Sequence, residues 1–212
     1  MSAVMFATNG LGNGMWREFG QRVRLDFGSF LRNMTGDQFE ELCLLNRDWR
    51  FERTKEGDIL IMAPVHTETG GSNFALTGQL FVWVKSDKTG QGFDSSTGFT
   101  LSNGAIRSPD LAWVSNEKLA SLAPEKRKKF YQLAPDFVVE LLSSSDSLTE
   151  LQNKMVEYLE NGVQLGWLID RKRKRVYVYR PDRKMETLNH PAKVSGEPFL
   201  KGFVLDMAEI WG

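Results

Sequence analysis

The chain has 212 residues, 41% hydrophobic and 11% aromatic, enough to bury the core of one ordinary α/β-sized domain. Lysine plus arginine and aspartate plus glutamate both number 27, so the formal charge is zero. This balance excludes a nucleic-acid binder held by net charge alone, and leaves only two local basic runs, Lys126–Lys129 and Arg171–Arg175, as candidate backbone contacts.

Residues 1–30 are rich in Gly and Asn and read as a mobile extension, ahead of one domain over 31–212. Met1 to Gly20 has no basic stretch followed by an apolar block, and no run approaches the ~18–20 apolar residues that span a bilayer, so a cytoplasmic protein without a membrane partner is expected. Thr35-Gly-Asp-Gln38 has capping-box form, and Phe39, Leu42 and Cys43 follow at helical spacing, predicting a helix that ends near Asn46. Cys43, the single cysteine, excludes an internal disulfide and is expected to be a buried structural thiol. Trp49–Arg53 and Ile59–Ala63 flank the polar Lys55–Asp58 turn as a hairpin. Leu76, Leu80, Trp83 and Val84 share one helical face. Short β segments follow at Phe93–Ser95 and Gly98–Leu101, and Asn103-Gly104 turns the chain into the β-rich run Leu111–Val114.

Phe137–Leu142 (FVVELL) is apolar except for Glu140 and suits a central strand covered on both faces. Ser147-Leu-Thr-Glu150 has capping-box form. Leu148, Leu151, Met155, Tyr158 and Leu159 then form an amphipathic stripe that stops at Asn161-Gly162. Leu165–Asp170 and Val176–Arg180 are strands around the second basic run. The order predicts an α/β fold, a mixed sheet with helices on its faces.

A carboxylate in the middle of a buried strand is costly without a partner or a metal, so Glu140 is the first candidate for chemistry. A second acid on a neighbouring strand would complete an oxygen-rich site of the kind Mg²⁺ prefers. Asp136 lies on the Glu140 strand, ~13 Å away at ~3.3 Å per residue, and cannot share an ion with it. Asp110 opens a different strand and can lie alongside. Phosphodiester cleavage also needs a cation, and the position two residues after Glu140 is Leu142. With Leu148 at zero and ~100° per residue, Lys154 falls near ~240°, on the rim of a stripe spanning ~280° to ~20°. From there its stem can lie along apolar surface while the ammonium reaches the sheet edge.

Ala105-Ile-Arg-Ser-Pro-Asp-Leu-Ala-Trp-Val114, Ala134-Pro-Asp-Phe-Val-Val-Glu-Leu-Leu-Ser143, Lys154 with Tyr158, Gly162, Trp167 and Asp170, and the closing Gly202-Phe-Val-Leu-Asp206 together resemble the Uma-two family of restriction-endonuclease-like proteins, within the PD-(D/E)XK nuclease superfamily. The resemblance runs from about Thr35 to the C-terminus. It implies a restriction-endonuclease-like mixed central sheet flanked by helices and a metal-dependent DNA endonuclease. Asp110 and Glu140 would hold Mg²⁺, or Mn²⁺ in its place, with the Leu141 carbonyl as a backbone ligand. Lys154 would be a catalytic lysine moved from the strand to the following helix. Glu52 would serve a second metal or the attacking water, against the plainer reading of an exposed strand-end glutamate. His66 would be a helix-start residue. The family's Ser-Pro-Ser after the glutamate strand is Ser143-Ser-Ser145 here.

Two other functions stay open. One is a non-catalytic DNA-binding protein on the same fold; the other is a small-molecule or scaffold domain in which Glu140 pairs with a buried Lys or Arg. A homodimer fits an enzyme that cuts both strands, with the aromatic Val176–Tyr179 hairpin as a candidate interface.

Overall fold

The computed structural model describes residues 16–19 and 22–25 as backbone, and 33–62, 64, 66–123, 129–143 and 146–211 with side chains. Fourteen strands and five helices follow in chain order. β1 (Trp16–Phe19), β2 (Arg22–Leu25), α1 (Gly36–Leu45), β3 (Arg50–Arg53) and β4 (Ile59–Met62) come first, then α2 (Thr67–Asp87) and β5 (Gly90–Asp94). Next are β6 (Phe99–Thr100), β7 (Ile106–Arg107), β8 (Leu111–Ser115), α3 (Asn116–Ala120), β9 (Phe137–Leu142) and α4 (Leu148–Glu160). β10 (Leu165–Asp170), β11 (Arg175–Tyr179), β12 (Glu186–Asn189), β13 (Lys193–Ser195), β14 (Val204–Asp206) and α5 (Ala208–Trp211) complete the described elements.

The central sheet runs β12-β11-β10-β9-β8-β5. Only β9 and β10 pair in parallel, joined through α4; their neighbours pair antiparallel. It is therefore the mixed sheet that the alternation of elements predicts. Strand parity sorts its side chains. Leu111, Trp113, Phe137, Val139, Leu141, Trp167 and Ile169 face α2, where Leu76 and Leu80 are buried with Phe203 and Leu205. Ala112, Val114, Val138 and Leu168 face α4, packing with Leu151, Met155 and Tyr158. Glu140 belongs to the second set, so its carboxylate is turned toward α4.

A second sheet, β1-β2-β4-β3-β7-β6, was not visible in the sequence pattern as a sheet of its own. The β3–β4 hairpin forms as expected, pairing Phe51 with Ile61, and Ala63 lies outside the described residues. β2 adds to β4, setting Leu25 opposite Ile59. Part of the segment read as a mobile extension thus belongs to the sheet, and the rest of 1–30 lies outside the described residues apart from β1. Thr35 makes the full reciprocal capping box with Gln38. Ser147 accepts only the Glu150 N–H.

The Val176–Tyr179 hairpin is corrected as an interface. β11 is an interior strand, and Val176, Tyr177, Val178 and Tyr179 are all buried in the two cores. Cys43 is half-buried beside Phe39 and Ile59, and desolvation, with the nearby Glu40 charge, pushes its pKa up to about 11. Among the described residues no helix is long and apolar enough to cross a membrane.

A Cβ at Gly90 would run into the Val114 carbonyl oxygen and the Trp113 ring, whereas at Gly166 it would meet the free methyl of Met155. Backbone and a packed indole cannot yield as a thioether end can. Gly90→Ala should cost about 1–3 kcal/mol in urea unfolding and Gly166→Ala clearly less; equal costs would contradict this packing.

Candidate active site

The antiparallel β8–β9 register pairs Leu111 with Val139, so the next position outward sets Asp110 beside Glu140. Asp110 Oδ2 accepts the Leu141 N–H at 2.8 Å. In a strand, the N–H and C=O of one residue point to the same side, so the Leu141 carbonyl also faces β8. Asp110, Glu140 and the Leu141 backbone therefore meet at one edge of β9; the approach of the two carboxylates is the one that the strand assignment predicts. Asp136 lies at the opposite end of β9, bound to the Ser115 N–H and to Lys118 Nζ at 2.9 Å, which makes it a strand-opening residue.

Lys154 reaches the strand from α4, as its place on the rim of the apolar stripe allows: it is 7% exposed, and its Nζ lies 2.7 Å from Glu140 Oε1 and 2.8 Å from Glu52 Oε1. Glu52 is 1% exposed, which removes the reading of an exposed strand-end glutamate. It also accepts the Ser108 N–H at 2.9 Å and pairs with Arg107 Nη1 at 3.2 Å. These bonds place Glu52 against Lys154 and Arg107 instead of leaving it as an open ligand. Arg107 continues to Glu157 Oε2 at 2.7 Å. Tyr158, one turn after Lys154 on α4, donates its hydroxyl to Glu140 Oε1 at 2.9 Å.

Arg107 and Glu157 were not singled out as functional residues. The signals were present, an arginine three residues before Asp110 and a glutamate three after Lys154, but their pairing is visible only once β7 lies across α4.

Burial raises the Glu140 pKa to about 7; Lys154 pulls it down, while the like charges of Asp110 and Glu52 push it up. Tyr158 is raised well above its ordinary value, by desolvation first and then by Glu140 and Glu52, so it remains a donor. Burial works against the Arg107 charge, but Glu52 and Glu157 outweigh it and raise its pKa.

Among the described residues no three His, Cys, Asp or Glu side chains converge as a ready metal cage. The set fits a hard cation in a sparser way: two carboxylates on adjacent strands and one carbonyl, all oxygen. Both side-chain contacts of Glu140 fall on Oε1, leaving Oε2 outside them.

Two cavities flank the network. One, of about 500 Å³, is lined by Lys154, Arg107, Glu157 and the Thr54–Glu56 turn. The other, of about 840 Å³, lies beyond the ends of β9 and β10, against Ser143, His66–Thr69 and Asp170–Arg173. His66 is the N-cap position of α2 and makes no side-chain cap bond. Within the second basic run, Arg173 is tied to Asp170 and Arg171 to the Ile210 carbonyl, with Lys172 exposed. Of the first run, 126–128 lie outside the described residues, and Lys129 pairs with Asp37.

A mixed sheet carrying an aspartate, a glutamate and a helix-borne lysine at one strand end defines a restriction-endonuclease-like α/β protein. The chain belongs to the Uma2 family, whose model carries the description "Putative restriction endonuclease" and matches residues 37–208. In structure the chain is similar to a putative nuclease belonging to DUF820 from Anabaena variabilis, with a TM-score of 0.70 and 23% identity over 84% of this chain and 97% of that one. At that identity the likeness speaks for the fold. Curated proteins gave no match.

Removing the cation from between two buried carboxylates leaves Glu140 with only the neutral Tyr158 hydroxyl and Glu52 with Arg107 and the Ser108 N–H, so Lys154→Met should cost about 3–5 kcal/mol in chemical denaturation at pH 8. The pH dependence has a definite sign. Glu140 titrates higher folded, near 7, than unfolded, near 4.5, so its stabilising contribution is complete below the lower value and is lost as pH rises through the upper one. In chelator, wild type should lose stability relative to Glu140→Gln between pH 5 and 8; parallel stability curves would refute the raised pKa.

Proposed function

We propose that the protein is a metal-dependent endodeoxyribonuclease, with Mg²⁺, or Mn²⁺ in its place, bound by Asp110, Glu140 and the Leu141 carbonyl. The observation that carries this reading is the Lys154 ammonium lying 2.7 Å from Glu140 although it arises from α4 and not from β9. Position 142, two residues after the glutamate, is leucine, and Lys154 supplies the missing cation from the facing helix.

Bound at that strand edge, the ion would polarise the scissile phosphate and lower the pKa of a water. The chain's own groups divide the remaining work. Lys154 sets a fixed positive charge beside the reacting phosphate, where it offsets the charge that builds on the phosphorane. Glu52 acts as a positioning residue, holding Lys154 at 2.8 Å alongside its contact with Glu140. Tyr158 orients the Glu140 carboxylate through its hydroxyl. The cleft beyond β9 and β10 receives the DNA backbone, with Lys172 and Arg173 on its wall. Contacts of this kind position a duplex without reading its sequence.

Cleavage of supercoiled DNA in Mg²⁺ or Mn²⁺ tests the reading, alongside calorimetric titration of the metal. Glu140→Ala, Asp110→Asn and Lys154→Ala should each lower the cutting rate by at least about 100-fold. Only the two carboxylate variants should also weaken metal binding. Cutting that survives Glu140→Ala removes the site from the reaction. Metal and DNA binding by wild type without any cutting would favour the non-catalytic alternative.

A further inference from the structure

Helix α2 buries Leu76 and Leu80 on its inner side, but its outer side is apolar where a surface helix is ordinarily polar. Phe74, Phe81 and Val82 are 82%, 61% and 71% exposed. Gly71, Gly78 and Lys85 complete the outward face. Residues 71, 74, 78, 81 and 85 advance in alternating steps of three and four, the spacing with which one helix presents a seam to another. A Cβ built on Gly71 or Gly78 would meet nothing within 4 Å. The two glycines are open notches, and the two phenylalanines beside them are projecting knobs.

We propose that this seam is a homodimer interface, in which α2 packs antiparallel against α2 of a second copy. Its self-complementarity identifies the occupant. With a two-fold axis level with Leu76, Phe74, two residues before the axis, faces Gly78, two residues after it. Gly71, five before, faces Phe81, five after. Each aromatic knob of one copy covers a glycine notch of the other, as an isologous interface requires. The ends match in charge as well. Glu68 in the first turn of α2 comes beside Lys85 in the last turn of the second copy. A parallel pairing in register would instead stack ring on ring, notch on notch and like charge on like charge. Antiparallel packing also carries the two clefts lined by His66–Thr69 to opposite ends of the interface, so one dimer presents two sites. The pairing does not rest on the nuclease reading and extends beyond it.

Sedimentation equilibrium of the full chain, without DNA or metal and over about 1–100 µM, measures it. Wild type should be dimeric. Phe74→Glu with Phe81→Glu should raise the dissociation constant by at least about 100-fold, while circular dichroism and the unfolding midpoint stay near wild type, since both rings are exposed. Glu68→Lys alone and Lys85→Glu alone should each weaken the dimer by about twofold to fivefold, and the two together should restore it. A wild type that is monomeric throughout, a dimer indifferent to loss of both rings, or a double charge exchange weaker than either single one would overturn the proposal.

Discussion

The structure turns on one ammonium group between two buried carboxylates. Lys154 joins Glu52 of β3 to Glu140 of β9, so a single side chain on α4 ties the second sheet to the central one. Arg107 of β7 repeats the arrangement one step outward, bridging Glu52 and Glu157. The chain of contacts is closed by Tyr158 and by the Ser108 N–H. Glu52, Lys154 and Arg107 each hold two charged partners, and removing one of the three leaves buried charge with fewer partners in a low-dielectric interior.

Parity explains why these groups meet. In β9 the even residues face α4, and Glu140 is the one polar side chain among them between Val138 and the partly covered Leu142. In α4 the buried positions are Leu151, Lys154, Met155 and Tyr158. The lysine and the tyrosine, one turn apart, therefore project toward the same strand residue. Asp110 follows from the β8–β9 register alone. Once Leu111 lies opposite Val139, no other position of the β8 segment stands beside Glu140.

Much of this was legible from periodicity. FVVELL reads as a buried strand with one misplaced charge, and the helix after it reads as amphipathic, because both patterns are local and strong. The helical wheel puts Lys154 at the edge of the apolar stripe with its ammonium able to reach the sheet, and it does reach Glu140; the depth of its burial is what the wheel does not show. The stripe is rotated toward Lys154, so that Leu148 and Leu159 are only partly buried. The carboxylate that receives Lys154 on that side is Glu52, from another sheet and 102 residues away in sequence. That partner cannot be seen in the helix. The second sheet escaped for a related reason: β6 and β7 are two residues long, too short for alternation to register, and they are strands only because other strands are present. The Val176–Tyr179 aromatics were misjudged because an interior strand and an exposed aromatic interface share the same composition, and only β12 on its far side separates the two.

The cost of the network bears on what it is for. Buried ion pairs of this kind can often be replaced by apolar side chains of similar volume with no loss of stability, and Glu140 carries an additional penalty, its pKa driven to about 7 by desolvation and by the like charges of Asp110 and Glu52. A fold selected for stability alone would have little use for a third carboxylate brought toward two others and a lysine drawn out of water to meet them. The arrangement makes physical sense if the excess negative charge at the Asp110–Glu140 edge is matched when the protein works, by a cation taken from solution. Lys154, satisfied from the Glu52 side, then need not let go of its place for that cation to bind. Glu52 would then be what allows Glu140 to serve two partners at once, which an isolated Lys154–Glu140 pair would not permit.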